Sequence, residues 1–234
     1  MHNRWVIVAG PRTGSTWLEN MIYNYWYIKD EKSVFLSEPL NPFLGVNFPF
    51  NVNNEGYIYL DSEELPNVES EKYDLLERTL SLIRIANLNQ SIVLRVFTQK
   101  DYYTFNQYEY FLKELLSKNF KIISLNRKLF DRAISCCYMY KSKVGQRYIN
   151  ETGEIFYKTD GTSSSTIENL KLEILPEEFH YFYHKCKSEI DMQKKICKNL
   201  PHIVVNYETL IEDCLIEQIA HAPTNIIKTY DEEY

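Results

Sequence analysis

Residues 5–17 read WVIVAGPRTGSTW, from Trp5 to Trp17. Trp5 to Ala9 is an unbroken β-favouring run without polar alternation, the pattern of a strand buried on both faces, as in parallel sheets. Gly10-Pro11 ends it. From Thr16 to about Tyr27 the apolar positions Trp17, Met21, Tyr25 and Ile28 recur at helical spacing, so the unit is strand, glycine-containing loop, helix. In such a unit the amides of the loop and of the helix N-terminus converge on one point. The partial positive end of the helix then makes that point an anion site that needs no net basic charge. Arg12 adds a planar donor fork, and Ser15 and Thr16 add hydroxyls. A Walker A loop demands lysine directly after its second glycine, where this chain has Gly14-Ser15. The plainer alternative is a turn with Ser15 or Thr16 as an N-cap.

Downstream, Val34–Leu36, Ile92–Phe97, Phe120–Leu125 and His202–Asn206 read as further strands. Helices are expected from Ser70 to about Leu88, with Tyr73, Leu76, Leu80 and Ile83 on one face, and from Asn106 to Lys118. In the second of these, Asn106 and Glu109 form a capping box, and Phe111, Leu112 and Leu115 face inward. Three more helices follow: from about Phe130 to Val144, from Pro176 to a stop at Pro201, and from near Glu208. Strands alternating with helices predict an α/β fold with a mainly parallel central sheet of about five strands flanked by helices. The chain reads as a single domain over 1–234 with two interruptions. One is an irregular insertion over 39–70, which holds Pro39, Pro42, Pro49 and Pro66 and the acidic residues Asp61, Glu63, Glu64 and Glu69. The other is a polar segment over 146–175 that includes DGTSSST and is expected to be mobile.

Composition narrows the function. With 26 Lys+Arg against 32 Asp+Glu the formal charge is −6, which argues against a general binder of nucleic acid or anionic membrane and requires any anion to be held by a local pocket. The chain is 44% hydrophobic and 15% aromatic, ample for a core. Its opening apolar run is too short for a signal peptide, and no later segment approaches the ~20 apolar residues of a membrane span. Five cysteines form no CxxC pair and leave one over, so reduced thiols in a soluble, cytoplasmic protein are expected.

Pro11 to Leu18, PRTGSTWL, resembles the 5′-phosphosulfate loop P-[KR]-[ST]-G-[ST]-[ST]-W-L of sulfotransferases that use 3′-phosphoadenosine 5′-phosphosulfate (PAPS). The resemblance implies a P-loop-like sulfotransferase fold, PAPS as donor, 3′,5′-ADP (PAP) as product and a hydroxyl acceptor. It implies that the backbone amides of Arg12, Thr13, Gly14, Ser15, Thr16 and Trp17 grip the sulfate and 5′-phosphate. Arg12 then stands in the place of the family's catalytic lysine or arginine. Arg127, followed eight residues later by Ser135, resembles the family's 3′-phosphate element. An arginine at a strand end and a hydroxyl on the next helix can close on one phosphate. Lys128-Leu129 replaces the common R-[DN]-P opening, and Arg127 and Arg132 can equally be surface cations. Val204 to Leu210, VVNYETL, resembles a strand-then-YExL segment of the family that serves packing.

Glu38, in the sequence Ser37-Glu38-Pro39-Leu40, stands where the carbohydrate and tyrosyl branches place a glutamate, and the resemblance implies that it is the base. The phenol-sulfating branch carries a histidine after its third strand; here that stretch reads RVFTQKD. The competing reading makes Glu38 a turn cap before Pro39. Arg95 is placed to hold either Glu38 or the acceptor. The acidic insertion favours a neutral sugar, lipid or small metabolite over a highly anionic polysaccharide. A small-molecule kinase using ATP and a catalytically inactive nucleotide-binding relative are the alternatives, but the kinase lacks its lysine and metal-holding acid. His180 and His184 have zinc-like spacing without the glutamate of HExxH, so no metal is expected.

Overall fold

β1 (Arg4–Ala9) is buried along nearly its whole length, because it lies between two other strands and its side chains enter a core on each face of the sheet. Val6 and Val8 join one core, and Trp5, Ile7 and Ala9 the other. That two-sided burial explains the unbroken apolar run in the sequence. The computed structural model describes residues 3–28, 33–36, 38–40, 50–52, 56–58, 76–77, 79–80, 83, 91–142, 147–149, 155–157 and 173–212.

The remaining elements follow in chain order. They are α1 (Ser15–Ile28), β2 (Ser33–Phe35), β3 (Phe50–Val52), β4 (Gly56–Ile58), β5 (Ser91–Phe97), α2 (Phe105–Ser117) and β6 (Lys121–Asn126). After these come α3 (Leu129–Ser142), β7 (Arg147–Ile149), β8 (Ile155–Tyr157), α4 (Pro176–Cys197), β9 (His202–Asn206) and α5 (Tyr207–Glu212). The sheet order is β4-β3-β2-β5-β1-β6-β9. β2, β5, β1, β6 and β9 are mutually parallel, which gives the expected α/β sheet its five parallel strands. β3 and β4 extend the β2 edge antiparallel. They lie within 39–70, so that span is not wholly irregular; apart from them and Pro39 and Leu40, it lies outside the described residues. In the span expected to be mobile, β7 and β8 pair antiparallel, and most of the rest again lies outside the described residues.

The chain, expected as a single domain over 1–234, divides into two compact units, Met1–Arg127 with Ser188–Tyr234, and Lys128–Lys187. The first holds the large sheet. One of its cores gathers Leu76, Leu80 and Ile83, which are helical, with Phe111, Leu112 and Leu115 of α2 and Ile196 of α4. The other packs Leu18 and Ile22 of α1 beneath β1, β5 and β6. The inward residues of α1 are Leu18 and Ile22, with Tyr25 packed against the same core, while Trp17 is 40% exposed and turned toward the Tyr207 ring. In the second unit Arg132 is buried, not a surface cation, and its Nη1 donates to the Cys186 carbonyl at 3.3 Å.

The cap of α2 also differs from expectation. Thr104, in extended backbone, accepts from the Gln107 amide at 3.4 Å, and the Gln107 side chain accepts from the Thr104 amide at 2.9 Å. The box is Thr104–Gln107, since helix starts are fixed by the residue that still has β-type dihedrals. Thr104→Ala should cost about 1 kcal/mol in urea unfolding and Asn106→Ala less than about 0.5 kcal/mol; equal costs would refute this assignment.

Candidate active site

The loop after β1 turns by left-handed backbone at two places. Arg12 has φ 65° and Gly14 φ 85°, with Thr13 between them at negative φ. Alternating handedness of this kind points successive amides into one concavity, which suits an anion. Arg12 is strained in that conformation, at a cost of about 1–3 kcal/mol for a non-glycine residue. Thr13 is buried, and its hydroxyl donates to the Gly10 carbonyl at 2.9 Å, so its side chain braces the loop. The Leu18 amide donates to the Gly14 carbonyl at 3.0 Å, which starts α1 directly behind the loop. Ser15 is buried, whereas Arg12 and Thr16 are exposed.

Tyr207, the first residue of α5, closes on this loop. A Cβ on Gly14 would stand 2.2 Å from Tyr207 Cδ2, so glycine is required here both by φ and by the ring. Trp17 meets Tyr207 edge-on, with centroids 6.2 Å apart. The YExL segment is thus part of the loop's frame.

Arg127, just past the end of β6, reaches the same place. Its Nη1 donates to the Arg12 carbonyl at 3.1 Å, and its guanidinium carbon lies 4.7 Å from the centre of the Tyr207 ring. The structure therefore brings Arg12 and Arg127 together although 115 residues separate them in sequence. Arg127 Nε is buried without a hydrogen-bond partner among the described residues, and a donor in that condition suits an added acceptor. Ser135 lies on α3 of the second unit, half-buried.

Arg95, in the middle of β5, is buried and holds three groups. Its Nε pairs with Glu19 of α1, its Nη1 donates to Thr16 Oγ1, and its Nη2 lies 3.2 Å from Glu38 Oε1. Of the two roles open to Arg95, the structure gives it the hold on Glu38. The Glu38 side chain is 16% exposed and that of Glu19 not at all. Tyr102 faces this group: burial, then Glu38, Glu189 and Asp101, push its phenol up to about 12. Neither Glu19 nor Tyr102 is marked by any motif. A carboxylate five residues into an amphipathic helix looks like surface, and only the arginine in an otherwise apolar strand signals that a buried partner must exist.

The free thiols among the described residues are Cys136, Cys137, Cys186 and Cys197. Cys136 and Cys186 lie 3.7 Å apart, sulfur to sulfur, in the second unit. Cys214 is outside the described residues. Burial pushes Cys197 up to about 12, which keeps it a neutral thiol. No group of three or more metal-ligating side chains occurs among the described residues, and no described helix is long and apolar enough to cross a membrane.

A family model described as sulfotransferase domain matches residues 2–215. No curated protein matches the sequence. Among solved structures, the chain is similar to retinol dehydratase in complex with androsterone and inactive cofactor PAP, at 14% identity and a TM-score of 0.43. That alignment covers 94% of this chain and 59% of the other, so the chain spans about three-fifths of that protein's length.

The geometry carries two stability expectations. Gly14→Ala should lose about 2–4 kcal/mol in denaturant unfolding, from positive φ and the Tyr207 ring together. Arg95→Met, which leaves Glu19 buried without its countercharge, should lose about 3–5 kcal/mol; a neutral result for either would contradict the packing described. A pH dependence follows from Tyr102. A phenol whose folded value lies above its unfolded 10.0 stabilises the native state below pH 10, and that contribution fades as pH climbs toward about 12. Unfolding curves between those limits should show the loss, and Tyr102→Phe should remove part of it.

Proposed function

The chain belongs to the sulfotransferase domain family, and on that premise we propose that it transfers a sulfuryl group from PAPS to a hydroxyl acceptor. The observation that carries the reading is the meeting of Arg127 with the Arg12 carbonyl at the left-handed loop. That contact brings an arginine from the far part of the chain to the backbone of the loop, which supports one site for both phosphorylated ends of a doubly phosphorylated adenosine. The fit is chemical: a loop left-handed at Arg12 and Gly14, a helix N-terminus, the exposed Arg12 and an Arg127 Nε without a hydrogen-bond partner among the described residues.

PAPS, when bound, supplies a sulfuryl group already activated by its bond to phosphate. The amides of Arg12 to Trp17 hold the sulfate and 5′-phosphate oxygens, and Arg127 holds the 3′-phosphate. Ser135 enters through the sequence resemblance, as a second donor to that phosphate. Glu38, oriented by Arg95, takes the acceptor hydroxyl proton as the acceptor oxygen bonds to sulfur. With PAPS bound, Arg12 and the loop amides would meet the negative charge left on the 5′-phosphate oxygen when the sulfuryl group is transferred. Nothing in these steps calls on a metal ion. The acidic balance of the chain favours a neutral sugar, lipid or small metabolite as acceptor, and its free thiols suit a cytoplasmic setting.

Thermal unfolding with added nucleotide tests the cofactor. PAP should raise the midpoint and ATP with magnesium should not, whereas the reverse would favour a kinase. Arg127→Met should weaken PAP about 10- to 150-fold by calorimetry, equivalent to about 1.5–3 kcal/mol for hydrogen bonds to charge. With labelled PAPS and a panel of hydroxyl acceptors, Glu38→Gln should lower turnover about 100- to 10,000-fold while leaving PAP affinity near wild type. Wild-type binding of PAP without transfer to any acceptor would point to an inactive relative.

A further inference from the structure

Glu19 has no part in the steps above, yet it is the most deeply buried carboxylate in the site. Its side chain is fully enclosed and pairs with Arg95 Nε, while Nη2 of the same guanidinium lies 3.2 Å from Glu38 Oε1. Two carboxylates therefore share one cation. A buried arginine facing Glu38 alone would form a closed ion pair, and such a carboxylate is held in its charged form and is a poor proton acceptor. With Glu19 neutralising Arg95, the three groups carry one net negative charge. Glu38, on the partly open side, is then the group whose protonation leaves the cluster neutral.

We propose that Glu19 is a positioning residue for sulfuryl transfer: by taking up the charge of Arg95 it leaves Glu38 oriented by the guanidinium yet able to accept the proton of the acceptor hydroxyl. The inference rests on the sulfotransferase reading and deepens it. Arg95 also donates to Thr16 Oγ1 at the start of α1, so one side chain fixes the base and the helix that follows the loop. Charged and titratable groups near Glu38 include Arg95 of β5, Glu19 of α1, which shares that arginine, and Tyr102 after β5, which also feels Asp101 and Glu189 of α4. Tyr102 is neutral through the physiological range, because its phenol is pushed up to about 12. Among these groups, Arg95 is the cation that contacts both Glu19 and Glu38.

The test uses the full-length protein and does not require a known acceptor. A water-soluble carbodiimide couples to protonated carboxyls, so the pH above which Glu38 escapes labelling, read by peptide mass spectrometry, reports its readiness to hold a proton. In Glu19→Gln the labelling of Glu38 should fall away about one pH unit lower than in wild type, since Arg95 then acts on Glu38 alone. In the double variant Glu19→Gln/Arg95→Gln, which removes the buried pair together and serves if the single variant fails to fold, labelling should persist to higher pH than in wild type. Opposite shifts in the two variants support the proposal. Identical profiles in wild type and in whichever variants fold overturn it. With the best acceptor from the panel, Glu19→Gln should lower kcat about tenfold and move the acid limb of the pH–rate profile downward, with KM for PAPS within about twofold of wild type. Glu19→Asp should restore the profile, an outcome a merely structural role would not produce. Failure of the wild type to bind PAP would sink the sulfotransferase reading itself, and the labelling result would stand apart from it.

Discussion

A guanidinium cannot be buried alone. Arg95 sits in the middle of a strand whose other residues from Ser91 to Val96 are buried too, and desolvating it costs several kcal/mol unless charge and hydrogen bonds meet it from every side. Two separate pieces of chain supply those contacts: Glu19 and Thr16 from α1, and Glu38 from the turn after β2. Satisfying one buried cation therefore fixes the start of α1, the path of the chain leaving β2 and the exit of β5. The surroundings reinforce the same edge. The Thr98 amide donates to the Ala9 carbonyl at 3.0 Å, and the Tyr108 hydroxyl accepts from the Gln99 amide at 3.1 Å. The C-terminal ends of β1 and β5 are thereby locked side by side, at the sheet edge where open parallel sheets place their ligands.

The parallel sheet was legible because its strands are buried on both faces. Trp5 to Ala9, Ile92 to Phe97 and Phe120 to Leu125 are runs in which neither face needs to be polar, and the strands found there fall within a residue of those limits. The hairpin β3–β4 was not legible. Three-residue strands amid prolines and asparagines carry too little periodicity to register, and their pairing is set by the neighbouring edge of β2. The cap of α2 was misread because Thr104-Phe105-Asn106-Gln107 offers two overlapping polar starts, and only the dihedrals decide between them.

The candidate site was legible in part, for a similar reason. Arg12, Gly14 and Arg127 announce themselves through local spacing, because each acts close to a turn or a strand end. Glu19 and Tyr207 act through distant partners. Tyr207 matters because Gly14 has no side chain, leaving room for a ring that any Cβ would strike. Thr13 shows a further limit of spacing. Its hydroxyl lies within the motif yet donates to the Gly10 carbonyl, so in the proposed site Thr13 would offer a ligand its amide, and that is invisible in a residue's identity.

The chain's overall charge and its proposed cargo have opposite demands. At −6 the protein repels a polyanion at long range, so attraction has to arise within a few ångströms. Fixed dipoles suit that task better than a lysine-rich patch: amides in a left-handed turn and a helix N-terminus act at contact distance and lose little to screening by salt. Arg12 and Arg127 add formal charge only at that point, and Arg127 is held in place by the Tyr207 ring and the Arg12 carbonyl before any ligand arrives. A site built this way gains its anion affinity from preorganised geometry. Changes to backbone shape at Gly14 or to the stacking of Arg127 on Tyr207 therefore disturb it more than the gain or loss of a surface charge elsewhere.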